Sequence, residues 1–288
     1  QPSLSIAKTM SGEPPARASR WVRRAAAVEA AGRGGPVIIW LRHELRLADN
    51  PLLQQGLQLC AGGRALLLVF CRDPREFGPA TRTQFGSQKV GDVRRRFVEE
   101  SLKDLDNQLV DRGSRLCVFN SPPEEVFPAL CAATGAQEVL AGAQFCPEER
   151  RAETVTAAAL AATGASLRLS DPGGITTLLG AEDLRRAGLP ATEAEFPEDF
   201  QAFYQPVRPL LHAICEQGLC EAPATLPGMP ETLPADLQPC RLDVDQDTGG
   251  GTITGGEAAA NRRLRTWMES GMCSYKYTFR KLLGDYSS

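Results

Sequence analysis

The sequence predicts a Rossmann-like α/β domain with a five-stranded parallel sheet, followed by a long linker and the start of a helical segment. Three observations predict it. Five short apolar runs lie between residues 37 and 170 without the alternation of half-exposed strands, as is typical of strands buried on both faces. Segments of helical periodicity separate them, which indicates right-handed βαβ crossovers. Beyond residue 172 the alternation ends, and residues 221 to 251 are rich in proline, glycine and aspartate.

The first predicted strand, residues 37 to 41 (VIIWL), ends in the dense charge of residues 42 to 46 (RHELR). Asn50 is a favoured N-cap and Pro51 suits a first helical turn, so a helix is predicted from about Pro51 to Leu59. The carboxyl end of the first strand is where open α/β sheets bind ligands. A solvated loop would have a similar composition, so these residues alone leave both interpretations open.

The other elements of the domain follow in order. Further strands are predicted at residues 64–71, 114–119, 136–142 and 165–170, and further helices at residues 90–113, 121–134 and 147–162. In the first of these helices the predicted apolar face comprises Val93, Phe97, Leu102, Leu105 and Leu109. A last helical stretch begins at about Glu257.

Composition argues against several classes of partner and of binding site. A hydrophobic content of 42% and a charged content of 23% over 288 residues are ordinary for a globular protein. The net charge of −3 gives no general reason to expect that the protein binds nucleic acid. No apolar run reaches the length of a membrane span. Nine cysteines without a C-x-x-C pair favour free thiols, and two histidines argue against a histidine-rich metal site. We therefore expect neither a membrane nor a metal partner.

Motifs for common active sites do not occur. There is no G-x-G-x-x-G after the first strand, no G-x-x-x-x-G-K-[ST] and no G-x-S-x-G. Periodicity and composition alone therefore predict an α/β domain without predicting its ligand.

Several segments, in the same order, resemble the photolyase/cryptochrome family. Residues 40–51 (WLRHELRLADNP) are similar to the family's first strand and turn, usually W-F-R-R-D-L-R-x-x-D-N-P. The other similar segments are VFCRDPREFG (69–78), KVGDVRRRFVEESL (89–102), EFPEDFQAFY (195–204), GGEAAANRRL (255–264) and SYKYTFRKLLGDYSS (274–288). The last two resemble the cryptochrome DASH branch, although that branch usually has TRNGLLG where this chain has TFRKLLG.

Composition and the resemblance together divide the chain into four regions. Residues 1–35 would be disordered or a transit peptide, 36–205 the photolyase antenna domain, 206–256 a linker, and 257–288 the truncated start of an all-helical FAD-binding domain. The family's activity is light-driven repair of cyclobutane pyrimidine dimers, in single-stranded DNA for the DASH branch, using FAD and the antenna folate 5,10-methenyltetrahydrofolate. Because most of the helical domain would lie beyond Ser288, we expect this chain to be inactive alone.

The resemblance also implies ligand-binding residues on the α/β domain. Glu100 matches a folate-contacting glutamate, and Cys146, Glu148 and Glu149 match a second folate-facing segment. Each has a simpler interpretation: Glu100 could be a solvated helix residue, and Pro147 with Glu148 could only begin a helix.

Three residues near the carboxyl end, Tyr275, Ser287 and Ser288, match positions that contact the FAD phosphates in the family. Serine hydroxyls and backbone N–H groups suit a diphosphate. The run Arg94–Arg96 invites a DNA-binding interpretation, but consecutive helical residues point in different directions, which favours a solvated face.

The resemblance also gives an expectation for the charged turn and leaves the biological role open. Arg42, Glu44 and Arg46 are expected to form ion pairs that fix the turn and the domain interface rather than to act chemically. Alternatives to a repair enzyme are a non-enzymatic chromophore- or nucleotide-binding module and a blue-light signalling photoreceptor. If residues 1–35, with their arginines and alanines, form a transit peptide, the destination is a chloroplast or mitochondrion; otherwise it is the cytoplasm or nucleus.

Overall fold

A computed structural model describes residues 35–171, 175, 177–190, 195–216, 220–230, 233, 237–242 and 253–271. Its centre is a five-stranded parallel sheet in the order β3-β2-β1-β4-β5. The strands are β1 (Val37–Leu41), β2 (Leu66–Cys71), β3 (Leu116–Phe119), β4 (Glu138–Gly142) and β5 (Ser166–Ser170). The predicted number and direction of the strands are confirmed.

The helices of the described residues alternate with these strands and then continue beyond the sheet. They are α1 (Pro51–Leu59), α2 (Pro74–Phe77), α3 (Asp92–Val110), α4 (Pro123–Thr134), α5 (Pro147–Ala162), α6 (Ala181–Arg186), α7 (Phe200–Glu216) and α8 (Glu257–Thr266), which continues as a π-helix (Trp267–Gly271). In the part of the chain that the structure describes, no helix is both long and apolar enough to cross a membrane.

Two hydrophobic layers cover the sheet, one on each face. Ile39 of β1 points into the layer formed with α1 and α3. Its neighbour Trp40 points into the opposite layer, formed with α4 and α5, and its ring lies 5.3 Å from that of Phe127. Successive strand residues face opposite sides of a sheet, so a strand buried on both sides must be apolar throughout. This explains why β1 lacks alternation.

The apolar face predicted for α3 is only partly buried. Leu102, Leu105 and Leu109 are buried against the sheet, whereas Val93 is 76% exposed and Phe97 43% exposed. An α-helix advances about 100° per residue, so Val93 lies about 180° and Phe97 about 140° from Leu102 around the helix axis. The two residues therefore do not share the buried face with the three leucines, and the prediction for Val93 and Phe97 is wrong.

The segment after the sheet differs from the extended linker expected over residues 206–256. Helix α7 runs across the expected boundary, so residues 206–216 are helical. The segment 220–242, in its described residues, lies along the α/β domain. Leu226 is buried and its N–H donates to Arg112 O (2.9 Å), while Cys240 N donates to Val118 O of the edge strand β3 (2.7 Å). This part of the segment is a component of the domain surface.

Candidate functional site

The charged turn after β1 lies at the point where the sheet reverses its strand order, between β1 and β4. Nη2 of Arg42 donates to Oε1 of Glu153 (2.8 Å) and also to the carbonyl of Gly142. The guanidinium lies 4.4 Å from the ring centre of Trp40, and the side chains of Arg42 and Glu153 are 10% and 8% exposed. The ion pair expected for Arg42 is confirmed.

Glu44 has a different role from the one expected. Its buried carboxylate accepts hydrogen bonds from the backbone N–H groups of Arg42 (3.3 Å) and His43 (3.1 Å). Buried backbone N–H groups need acceptors, and in this tight turn the nearest is the glutamate itself. The expected ion pair of Glu44 is therefore replaced by a cap on the end of β1.

Arg46 holds the far side of the same turn. Its Nη2 donates to Asp49 O (2.8 Å) and to Ile175 O (3.4 Å). Asp49 has a positive φ of 47°, a conformation that aspartate tolerates better than most residues. Arg46 thus links the turn to the chain beyond β5 through backbone carbonyl groups, and its expected ion pair stays a prediction.

Cys146, Glu148 and Glu149 lie at the start of α5, on the carboxyl side of β4. Cys146 is exposed at the N-cap position, Pro147 follows it, and both glutamates lie in the first turn. Glu148 pairs with Lys89, and Glu149 lies 2.8 Å from Nε2 of His43. Negative charge in a first helical turn is stabilising, so the simpler interpretation accounts for these positions.

Glu100 is not a solvated surface carboxylate. It lies on α3 with its side chain 19% exposed, and Oε1 is 3.2 Å from Nε of Arg96. Oε2 accepts a hydrogen bond from the backbone N–H of Gly255, 2.7 Å away. The carboxylate therefore lies at the junction between α3 and the chain entering α8.

The sheet separates the two groups of expected folate residues. Glu100 is on α3, which packs on one face, while the other three begin α5, which packs on the opposite face. One ligand would touch both groups only by reaching over the carboxyl edge of the sheet. The expected flavin residues Tyr275, Ser287 and Ser288 lie outside the described residues.

The run of three arginines on α3 has three different partners. Arg94 Nη2 lies 3.2 Å from Glu76 Oε1, Arg95 Nη1 donates to Phe77 O (2.7 Å), and Arg96 pairs with Glu100. This agrees with side chains that point in different directions, and it gives no continuous basic surface for DNA.

Sequence reasoning missed the contacts made by the start of α8. Glu257 accepts hydrogen bonds from the backbone N–H groups of Leu47 (2.8 Å) and Ala48 (3.0 Å). Asp104 of α3 accepts one from Ala258 N (3.2 Å). The Gly-Gly-Glu triplet at residues 255–257 was the available signal, because paired glycines indicate a close backbone approach.

A cavity of about 450 Å³ lies between α6 and α7. Among the described residues its lining is apolar apart from one threonine: Thr177, Leu178, Leu179, Leu184, Phe196, Phe203, Val207 and Leu211. Binding sites for polar cofactors need a few convergent polar groups, which this lining does not supply.

Comparison with known proteins identifies the class. The family model described as DNA photolyase matches residues 37–214, and the chain belongs to the DNA photolyase family. The Cryptochrome DASH of Gloeobacter violaceus is 34% identical over 261 residues, which cover 88% of this chain and 49% of that protein. The chloroplastic/mitochondrial Cryptochrome DASH of Solanum lycopersicum is 31% identical, and the match covers 88% of this chain and 45% of that protein.

Solved structures agree with this assignment. The crystal structure of a Synechocystis cryptochrome matches with a TM-score of 0.69 and 26% identity, over 85% of this chain and 48% of that one. The chain thus spans about half the length of the relatives that it matches.

Proposed function

We propose that this chain forms the antenna side of a blue-light flavoprotein of the cryptochrome DASH type, and that Glu100 binds the antenna folate, 5,10-methenyltetrahydrofolate. The observation that carries the proposal is the position of the Glu100 carboxylate, four-fifths buried between α3 and the chain entering α8. A carboxylate has about four acceptor positions, and Arg96 and Gly255 use two of these. The remaining two suit the N–H groups of a pterin ring.

Cys146, Glu148 and Glu149 remain part of the proposal as a second contact, over the carboxyl edge of the sheet. Glu148 pairs with Lys89 and Glu149 contacts His43, so a ligand there would compete with existing polar contacts. We therefore assign the main contact to Glu100.

The proposal for the whole protein is light-driven repair of cyclobutane pyrimidine dimers in single-stranded DNA. FAD, when bound, supplies the photochemical electron transfer, and Tyr275, Ser287 and Ser288 are the residues proposed to hold its phosphates. The likeness to the tomato relative, with the basic composition of residues 1–35, supports a chloroplast or mitochondrial destination. The crystal structure of the archaeal photolyase from Sulfolobus tokodaii, which is 18% identical to this chain, contains two FAD molecules.

The antenna proposal is tested by titrating the protein with methenyltetrahydrofolate and following the near-ultraviolet absorbance of the bound form. Glu100→Gln should weaken binding by about tenfold or more, because a hydrogen bond to a charged acceptor contributes about 1.5 to 3 kcal/mol. Glu125→Gln, at an exposed position in the first turn of α4, is the matched control. Equal affinities for Glu100→Gln and Glu125→Gln would remove Glu100 from the site.

A second candidate function is blue-light signalling without repair. The Blue-light photoreceptor PHR2 of Arabidopsis thaliana is 28% identical over 249 residues, which cover 83% of this chain and 51% of that protein. An assay of dimer splitting in single-stranded DNA under blue light, made on the whole protein with flavin and folate supplied, separates the two candidates. Splitting supports repair, whereas light-induced flavin chemistry without splitting supports signalling or a non-enzymatic module.

A further inference from the structure

The chain enters α8 through a corner, residues 255–258, that both donates hydrogen bonds to the α/β domain and accepts them from it. The corner donates two hydrogen bonds to carboxylates of α3. Glu100 accepts the N–H of Gly255 (2.7 Å), and Asp104 accepts the N–H of Ala258 (3.2 Å). In the other direction, the carboxylate of Glu257 accepts from the backbone of the turn after β1. Four backbone N–H groups that no helix or strand satisfies thus have charged acceptors.

Glu257 fixes the position of the start of α8 on the α/β domain. Its two oxygens bind the N–H groups of two successive residues, Leu47 at 2.8 Å and Ala48 at 3.0 Å. A carboxylate that binds two fixed donors is constrained in orientation as well as in position. Glu257 is also the first residue of α8, so its placement fixes the start of that helix.

The two glycines allow the close approach. A Cβ on Gly255 would overlap the carbonyl oxygen of Phe97 and lie 2.7 Å from Oγ of Ser101. Gly256 has a φ of 104°, and a Cβ there would lie 2.6 Å from Cβ of Asp104. Both glycines are buried. Any larger residue would move the corner away from α3.

We propose that residues 255–257 form a latch that docks α8 on the α/β domain, and that Glu100 and Asp104 are its positioning residues on α3. The docking surface consists of this face of α3 together with the Leu47–Ala48 turn, and its partner is a Gly-Gly-Glu helix start. The latch requires no chromophore, so it stands independently of the proposed antenna function. It also gives the charged turn after β1 a role, which is to present two N–H groups to the helix.

Hydrogen–deuterium exchange of the 288-residue chain tests the latch. Glu257→Gln leaves an amide with a single acceptor oxygen for the two donors. Exchange at the Leu47 and Ala48 amides should then be faster by about tenfold. The control is Glu269→Gln, an exposed position in the π-helical turn. Unchanged protection of the β2 amides, residues 66–71, shows that the domain remains folded.

A second pair of variants tests the close approach. Gly256→Ala should release α8 and accelerate tryptic cleavage after the exposed residues Arg262 and Arg265. Gly62→Ala is the matched control, because Gly62 also has a positive φ, 93°, but has nothing within 4 Å of the added Cβ. The latch does not exist if the Leu47 and Ala48 amides exchange at the same rate in Glu257→Gln and in Glu269→Gln. Equal rates of tryptic cleavage in Gly256→Ala and Gly62→Ala would also rule it out.

Discussion

Arg42 and Glu153 form a buried ion pair that joins the end of β1 to the middle of α5, with Nη2 and Oε1 separated by 2.8 Å. The same arginine packs on Trp40, and Oε1 of Glu153 also accepts the N–H of Gln144 (2.9 Å). Among the described residues, Nε and Nη1 of Arg42 have no hydrogen-bond partner. The pair therefore lies at the strand-order reversal, and part of its guanidinium is unsatisfied.

Removing one member of this pair should be costly. Arg42→Met leaves the Glu153 carboxylate buried without its cation and should lower the free energy of unfolding by about 3 to 5 kcal/mol, measured by urea denaturation. The double variant Arg42→Met/Glu153→Gln should lose less than the sum of the two single variants, because no unpaired charge remains. Arg94→Met, from an exposed pair, should cost less than about 1 kcal/mol. If the loss of unfolding free energy in the double variant equals the sum of the losses in the two single variants, the two side chains are not coupled.

The N-cap of α1 should contribute measurably to stability. Asn50 Oδ1 accepts the N–H of Leu53 (3.0 Å), and Nδ2 donates to Arg46 O (2.8 Å). Asn50→Ala removes both bonds and should lower the free energy of unfolding by about 1 to 2 kcal/mol. Asn50→Ser keeps an acceptor for the helix and should lose clearly less. If Asn50→Ala and Asn50→Ser have the same free energy of unfolding in urea denaturation, the cap does not contribute to stability.

The segment after α7 should behave as part of the folded domain. Leu226 is 8% exposed in the layer that contains α3. Leu226→Ala should therefore cost about 2 to 4 kcal/mol of unfolding free energy. Leu264→Ala, at a side chain that is 47% exposed, should change it by about 0.5 kcal/mol or less. A free linker would instead give the same small effect for both substitutions.

Buried thiols should make the fold sensitive to alkali. Burial raises the pKa of Cys131 from 9.0 to about 11 and that of Cys117 to about 12. In the unfolded chain these thiols lose their protons near their ordinary pKa, whereas in the folded chain they keep them. Unfolding therefore releases protons between pH 9.0 and about 11, so the free energy of unfolding falls as the pH rises through this range.

Urea denaturation on both sides of this pH range measures the effect. Cys131→Ala should show a smaller decrease with pH than the parent protein, and the same slope in both would contradict the prediction. Iodoacetamide at neutral pH gives an independent comparison. The exposed Cys146 should react in the folded protein, while the buried Cys60, Cys71, Cys117 and Cys131 should react only after unfolding.

Local sequence determined the five strands of the α/β domain, their direction and the helices between them, except the short helix α2. Apolar runs without alternation, such as VIIWL at residues 37–41, predicted strands buried on both faces, and the structure has them. Asn50 before Pro51 predicted the start of α1, because a cap depends on residues only a few positions away. The G-G-E triplet and the other motifs, in their order along the chain, were sufficient for the family resemblance, which the comparisons confirm.

Only the tertiary structure decided which polar groups meet when they lie far apart in the sequence. The bond from Gly255 to Glu100 joins residues 155 positions apart, and no local pattern specifies such a partner. The bonds of Leu47 and Ala48 to Glu257 likewise span 210 and 209 positions, whereas the exposure of Val93 follows from its position around the helix axis. Periodicity specifies which face of an element is apolar, whereas burial and pairing depend on the neighbours that the fold supplies.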